Sequence, residues 1–147
     1  MLKANVISDR LKKARALNHE DDPLAIIPEP DLDKLAASGA ASVDLRLGTW
    51  FVTLRHSRIP LLDVADPKTV ATHESRLTHT HYVRFGSKFI LHPQSFLLGS
   101  TLEWIRLPRK LGAYVVGKSS WGRRGLIIAT AVGVHPGFAG CLTLELR

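Results

Sequence analysis

The chain has 147 residues, 45% of them hydrophobic, enough for one domain, 1–147, with a core of its own. Its 20 lysines and arginines outnumber 13 aspartates and glutamates, a formal net charge of +7 that suits a polyanionic partner, either nucleotide or nucleic acid. A single cysteine excludes an internal disulfide framework, no run of 18 apolar residues is available to span a membrane, and the first residues lack a signal peptide's apolar stretch, so a cytoplasmic location is expected.

Residues 5–18 read as a helix, with Ser8 or Asp9 as cap and Leu11, Ala14 and Leu17 on one face. Residues 21–30 carry three prolines, which remove backbone donors and bar a continuous helix, so an extended connector is expected. Asp31–Ala37 reads as one or two further helical turns. From Ala41 the pattern becomes β-like. Ser42–Leu47 alternates polar and apolar residues at period two. Trp50–Leu54, Tyr82–Phe85, Lys88–Leu91, Phe96–Leu98, Leu102–Ile105, Ala113–Val116, Leu126–Ala129 and Cys141–Leu144 follow, separated by turn residues such as Gly48, Gly86, Pro93, Gly99, Pro108 and Gly117. Many short strands with regular punctuation imply a mainly β sandwich or barrel with a short N-terminal helix. Leu142–Arg147 is strand-like and stops without a polar tail; a bare edge invites pairing, which favours an oligomer.

The densest chemistry lies in Gly117–Leu126, where Lys118, Arg123, Arg124 and the hydroxyls of Ser119 and Ser120 stand among three glycines. Glycine lets backbone N–H groups approach phosphate oxygens and the cations offset their charge, so this segment reads as a polyphosphate loop. Gly112–Ser119 also fits G-x-x-x-x-G-K-[ST]. Its interior, Ala113–Val116, reads as strand, however, and Gly122 and Gly125 oppose the helix that pattern requires, so a P-loop NTPase is set aside. Downstream, Glu145 interrupts an apolar strand, where a carboxylate needs a partner or a task. Two readings stand at this point: an ion pair with Arg123 or Arg147, or proton transfer in a reaction.

In their order and spacing, Ile7–Arg10, Ala41–Gly48, Leu91–Pro93, Phe96–Glu103, Leu107–Pro108, Gly117–Arg123 and Gly137–Glu145 resemble the dCTP deaminases, the nucleotide-deaminating branch of the dUTPase superfamily. The resemblance implies a distorted β-barrel or jelly-roll subunit, a homotrimer with active sites at subunit interfaces, and hydrolysis of dCTP to dUTP and ammonia. It implies that Glu145 is general base and acid and that Ser119 and Arg123 organise the attacking water and hold phosphate. Lys118 and Ser120 would complete the triphosphate loop, with Mg²⁺ carried on the substrate phosphates. Ala131 would place the water through its carbonyl, and Thr143 and Leu144 would contact the base. Zinc is not expected, because the H-x-E and P-C-x-x-C signatures of zinc deaminases are absent. No membrane or nucleic-acid partner is expected either, since the cations cluster in one loop instead of interleaving with aromatics along a groove.

The chain departs from that family pattern in two places. His135 stands where many relatives carry an Asp that contacts the deoxyribose and, in the diphosphatases, activates water. Imidazole is a poorer base there, so contact with the sugar is expected of His135 and dUTP hydrolysis is not. Relatives also continue for several tens of residues past the counterpart of Glu145, so the chain is expected to lack their C-terminal extension and its closing tail. A non-catalytic nucleotide-binding or regulatory protein, or a truncated enzyme, is therefore the alternative. Elsewhere, His79 and His81 share one face of a strand as a metal pair would, but with no third ligand at useful spacing they read as surface residues. His92 reads as a turn residue, Trp50 and Trp104 as core, Trp121 as core or base-stacking, and Asp44 with Arg46 as a structural Asp–Arg network.

Overall fold

The computed structural model describes residues 1–16, 22–54, 65, 68 and 77–147. The first helix, α1, spans Ala4–Ala16 and buries Leu11; Leu17, expected on the same face, lies outside the described residues. Ser8 is not its cap. It sits inside the helix, fully buried, and its hydroxyl donates to the Leu32 carbonyl at 2.9 Å, tying α1 to the start of α2, Leu32–Ala37. Asp31 caps α2 by accepting from the Lys34 N–H at 3.1 Å, and that bond, helped by the Lys34 ammonium, holds the Asp31 carboxyl below its usual range. The proline-rich connector is extended as expected, and Ala25–Ile27 within it forms a short strand, β1.

The main sheet is antiparallel and five-stranded. It consists of β1, β2 (Leu47–Leu54), β3 (Thr78–Tyr82), β4 (Leu97–Arg106) and β7 (Ala139–Leu146). The hub is β4. Along one edge it pairs with β7, from Leu97↔Leu146 to Arg106↔Ala139. Its other edge is shared: β2 takes the N-terminal half and β1 the C-terminal half. The β2–β4 and β4–β7 ladders both shift register, which bends the sheet into a curled half-barrel. Two residues each of β5 (Ala113–Tyr114) and β6 (Gly133–Val134) form a second, small sheet.

Several expected breaks and strands fall differently. Gly99 does not end a strand: β4 runs through it, because its missing side chain makes room for the Phe51 ring, whose nearest carbon would stand 3.1 Å from a Cβ. Residues 43–46 are not a ladder strand. The Arg46 N–H is taken by the buried Glu103 carboxylate at 2.8 Å, and only the Arg46 carbonyl accepts a backbone bond, from Leu102. The strand expected at Tyr82–Phe85 lies earlier, and residues 88–91 form none. Residues 127–129 pair with the end of β7 through one bridge, Ile128↔Leu146, flanked by bonds from Ile127 and Ala129.

Alternation along the strands separates two faces. Inward lie two clusters, one around Leu11, Leu24, Ile26, Leu32, Ile105 and Leu107 and one around Phe51, Leu97, Leu144 and Leu146, with Leu142 packed against both. Outward, on the register of the same strands, point Ile27, Trp104, Trp50, Tyr82 and Leu54. Trp50 and Trp104 are therefore not core residues: they are 56% and 37% exposed, and the Trp50 ring lies tilted against Tyr82 with centroids 5.1 Å apart.

Candidate active site

Glu145 lies on that outward face. Its strand neighbours Leu144 and Leu146 are buried inward, so the carboxylate does not interrupt an apolar core but points away from it, half-buried, opposite Leu98. The backbone around it is well held: its N–H donates to the Thr130 hydroxyl at 2.7 Å and its carbonyl accepts from Ala129 at 2.8 Å. Among the described residues the carboxylate itself has no hydrogen bond or ion pair, so of the two readings the ion pair with Arg123 or Arg147 is not made. Thr143 shares the outward face with Glu145, opposite Ser100. Leu144 faces the core beside Phe51, which leaves only its backbone to meet a ligand on Glu145's side.

The glycine-flanked loop folds locally. After β5 the chain runs extended to Lys118, and one helical turn, α3, forms over Ser119–Gly122. This differs from the expectation that Gly122 would oppose a helix: at the last position of a single turn its low propensity matters little, and the chain leaves through Gly125 at φ +92°. Four residues are still no P-loop helix. Lys118 is held by Asp44, Nζ to Oδ2 at 2.6 Å, with both side chains more than half exposed. Arg123 closes the turn through its N–H to the Ser119 carbonyl, 2.9 Å, while its guanidinium and the Ser119 and Ser120 hydroxyls have no partner among the described residues. Ala131 and His135 are exposed on the segment that returns towards β7, His135 in the turn closed by Phe138 N–H to its carbonyl at 3.2 Å. Among the described residues no hydrogen bond or ion pair joins the loop to Glu145.

Asp44 and Arg46 do not pair with each other. Asp44 reaches the loop lysine, whereas Arg46 is clamped by Glu103, Nε to Oε1 at 2.7 Å in addition to its N–H. Sequence reasoning missed Glu103, a carboxylate only 4% exposed; the one available signal was its place at an inward position of an alternating strand. A cavity of about 820 Å³ opens on the inner face by Phe51, Phe89 and Leu97. Trp121 lines it with Arg124, whose guanidinium lies 5.5 Å from the Trp121 ring. Glu145 faces the other side of the sheet, so this cavity is not the candidate site. Among the described residues no three His, Cys, Asp or Glu side chains converge as a metal site, and no helix is long and apolar enough to cross a membrane.

The profile of the dCTP deaminase-like family matches residues 11–147. The chain belongs to that family. It is 41% identical over 127 residues to a protein of Halobacterium salinarum named dCTP deaminase, dUMP-forming, covering 86% of this chain and 62% of that one. A Coprothermobacter proteolyticus protein of the same name is 45% identical over 107 residues, with coverages of 72% and 54%. A Haemophilus influenzae dCTP deaminase is 33% identical over 129 residues, covering 86% and 65%. The solved structure of 2'-deoxycytidine 5'-triphosphate deaminase from Agrobacterium tumefaciens superposes with a TM-score of 0.59 at 26% identity, over 92% of this chain and 39% of that one. The curled sheet with its N-terminal helix is thus the dUTPase-like fold of these enzymes. The chain spans about three-fifths of the length of the curated relatives it matches.

Proposed function

We propose that the chain deaminates dCTP to dUTP and ammonia. The observation that carries this is Glu145: a half-buried carboxylate, fixed through its backbone on both sides and without a structural partner among the described residues, in a chain whose relatives are named dCTP deaminases. A water oxygen attacks C4 of the cytosine ring while Glu145 takes a proton from that water and delivers it to N3. The C4–N bond then breaks, the amino group leaves with a second proton as ammonia, and the oxygen stays on C4 as the uracil carbonyl. Ser119 and the Ala131 carbonyl orient the water, and Thr143, the Leu144 backbone and His135 hold base and sugar. Lys118, Ser120 and Arg123 bind the triphosphate. Mg²⁺ enters as part of the substrate, since the described side chains offer it no ligand cluster and the phosphates do.

That no bond joins the loop to Glu145 among the described residues favours sites completed between copies, with Arg123 and Ser119 of one subunit facing Glu145 of the next. The apolar outward face formed by Ile27, Trp50, Leu54, Tyr82 and Trp104 supplies a surface for such an assembly, here proposed as a homotrimer working in the cytoplasm.

A second reading is favoured by the names of two relatives, both dUMP-forming. In that case the same site also hydrolyses the triphosphate. Turnover of dCTP with Mg²⁺, followed by chromatography of dUTP and dUMP beside Glu145→Gln, separates the readings. Accumulation of dUTP, slowed by roughly 10²–10⁴-fold in the variant, supports the deaminase. Direct appearance of dUMP supports the second reading, and binding of dCTP without either product leaves a non-catalytic nucleotide binder.

A further inference from the structure

The two histidines of β3 converge in a way their spacing alone did not reveal. His79 and His81 occupy the inward face of the strand, opposite Thr53 and Phe51 of β2. The Nδ1 of His79 and the Nε2 of His81 lie 3.1 Å apart, with the rings nearly perpendicular at 87°. Two imidazole nitrogens this close share one hydrogen: one ring offers N–H and the other its lone pair. The arrangement is braced. The ladder fixes both backbones, the His81 ring packs edge-on against Phe89 with centroids 5.5 Å apart, and the Thr53 hydroxyl lies 2.9 Å from the same Nε2.

We propose that this pair is a binding site for a divalent transition-metal ion, ligated by His79 Nδ1 and His81 Nε2, with the shared hydrogen moving to the other nitrogen of the ring that carried it. With metal–nitrogen bonds of about 2.1 Å, nitrogens 3.1 Å apart subtend roughly 95° at the ion. That is the angle between neighbouring positions of a square-planar or octahedral complex, not of a tetrahedron, so Cu²⁺ and Ni²⁺ fit better than Zn²⁺. The Thr53 hydroxyl stands close enough to contribute or orient one oxygen, and water fills the remaining positions. A protonated imidazole has no lone pair to offer the ion, so binding weakens in acid.

The test uses the untagged full chain titrated calorimetrically with Ni²⁺ and Cu²⁺ near neutral pH. One ion per chain is expected. His79→Ala and His81→Ala should each weaken binding at least about tenfold, while His92→Ala, on a separate turn, leaves it unchanged. Circular dichroism checks that each variant folds. His79 is exposed, so its variant decides the matter even if His81→Ala, beside Phe89, does not fold. Absence of a one-to-one event, or equal binding by the His79→Ala chain, overturns the proposal.

Discussion

The Glu145 N–H and carbonyl are both turned to residues 129–130, which sets the direction of a side chain that no other described residue bonds. Exchange of its carboxylate for an amide should therefore change chemistry and leave the fold intact: for Glu145→Gln, an unchanged melting temperature should accompany the loss of turnover. Lys118 differs, because it already has a partner. Its pair with Asp44 lies in solvent, where such contacts contribute less than about 1 kcal/mol, so it does not hold the fold together. It keeps an ammonium in place at the loop until a stronger anion arrives. Lys118→Ala should raise the KM for dCTP about tenfold or more, the loss of one charge-assisted contact, with kcat and thermal melting little altered. Steady-state kinetics beside a melting curve would check both halves of this statement.

At the level of elements, the bulge in β4 is held by a single hydroxyl. Thr101, 2% exposed, donates to the Glu103 carbonyl at 2.8 Å and accepts from the Leu142 N–H at 2.9 Å, filling the gap where β4 and β7 lose register. Thr101→Val keeps the shape and strands that N–H, which should cost about 1–3 kcal/mol in urea unfolding. Short apolar runs between turn residues located most of β2, two pieces of β4 and the middle of β7, and glycines among cations and hydroxyls located the loop, because these signals are local. Gly99 was misread as a break because its role is room for Phe51, from a strand far away in sequence. Trp50 and Trp104 read as core because apolar runs flank them, yet which face of a curled sheet is covered depends on partners outside the strand. The segment at 43–46 alternates like a strand, but a carboxylate 57 residues downstream takes its N–H.

For the whole molecule, the separation between loop and Glu145 leads to a test of shared sites. Arg123→Ala and Glu145→Ala chains should each be inactive alone. If a site takes Arg123 from one copy and Glu145 from the next, random re-assembly of an equal mixture into closed trimers restores about a quarter of the sites. Sites built within one chain would restore none, so activity of the mixture decides the matter. The position of β4 has a different consequence, one of timing. Flanked on both edges and joined to both clusters, its amides can meet solvent deuterium only when the entire domain opens, whereas the two-residue ladder of β5 and β6 can part on its own. The slowest isotope uptake in this protein should come from the middle of β4, and its rate is a clock for how often the molecule comes undone.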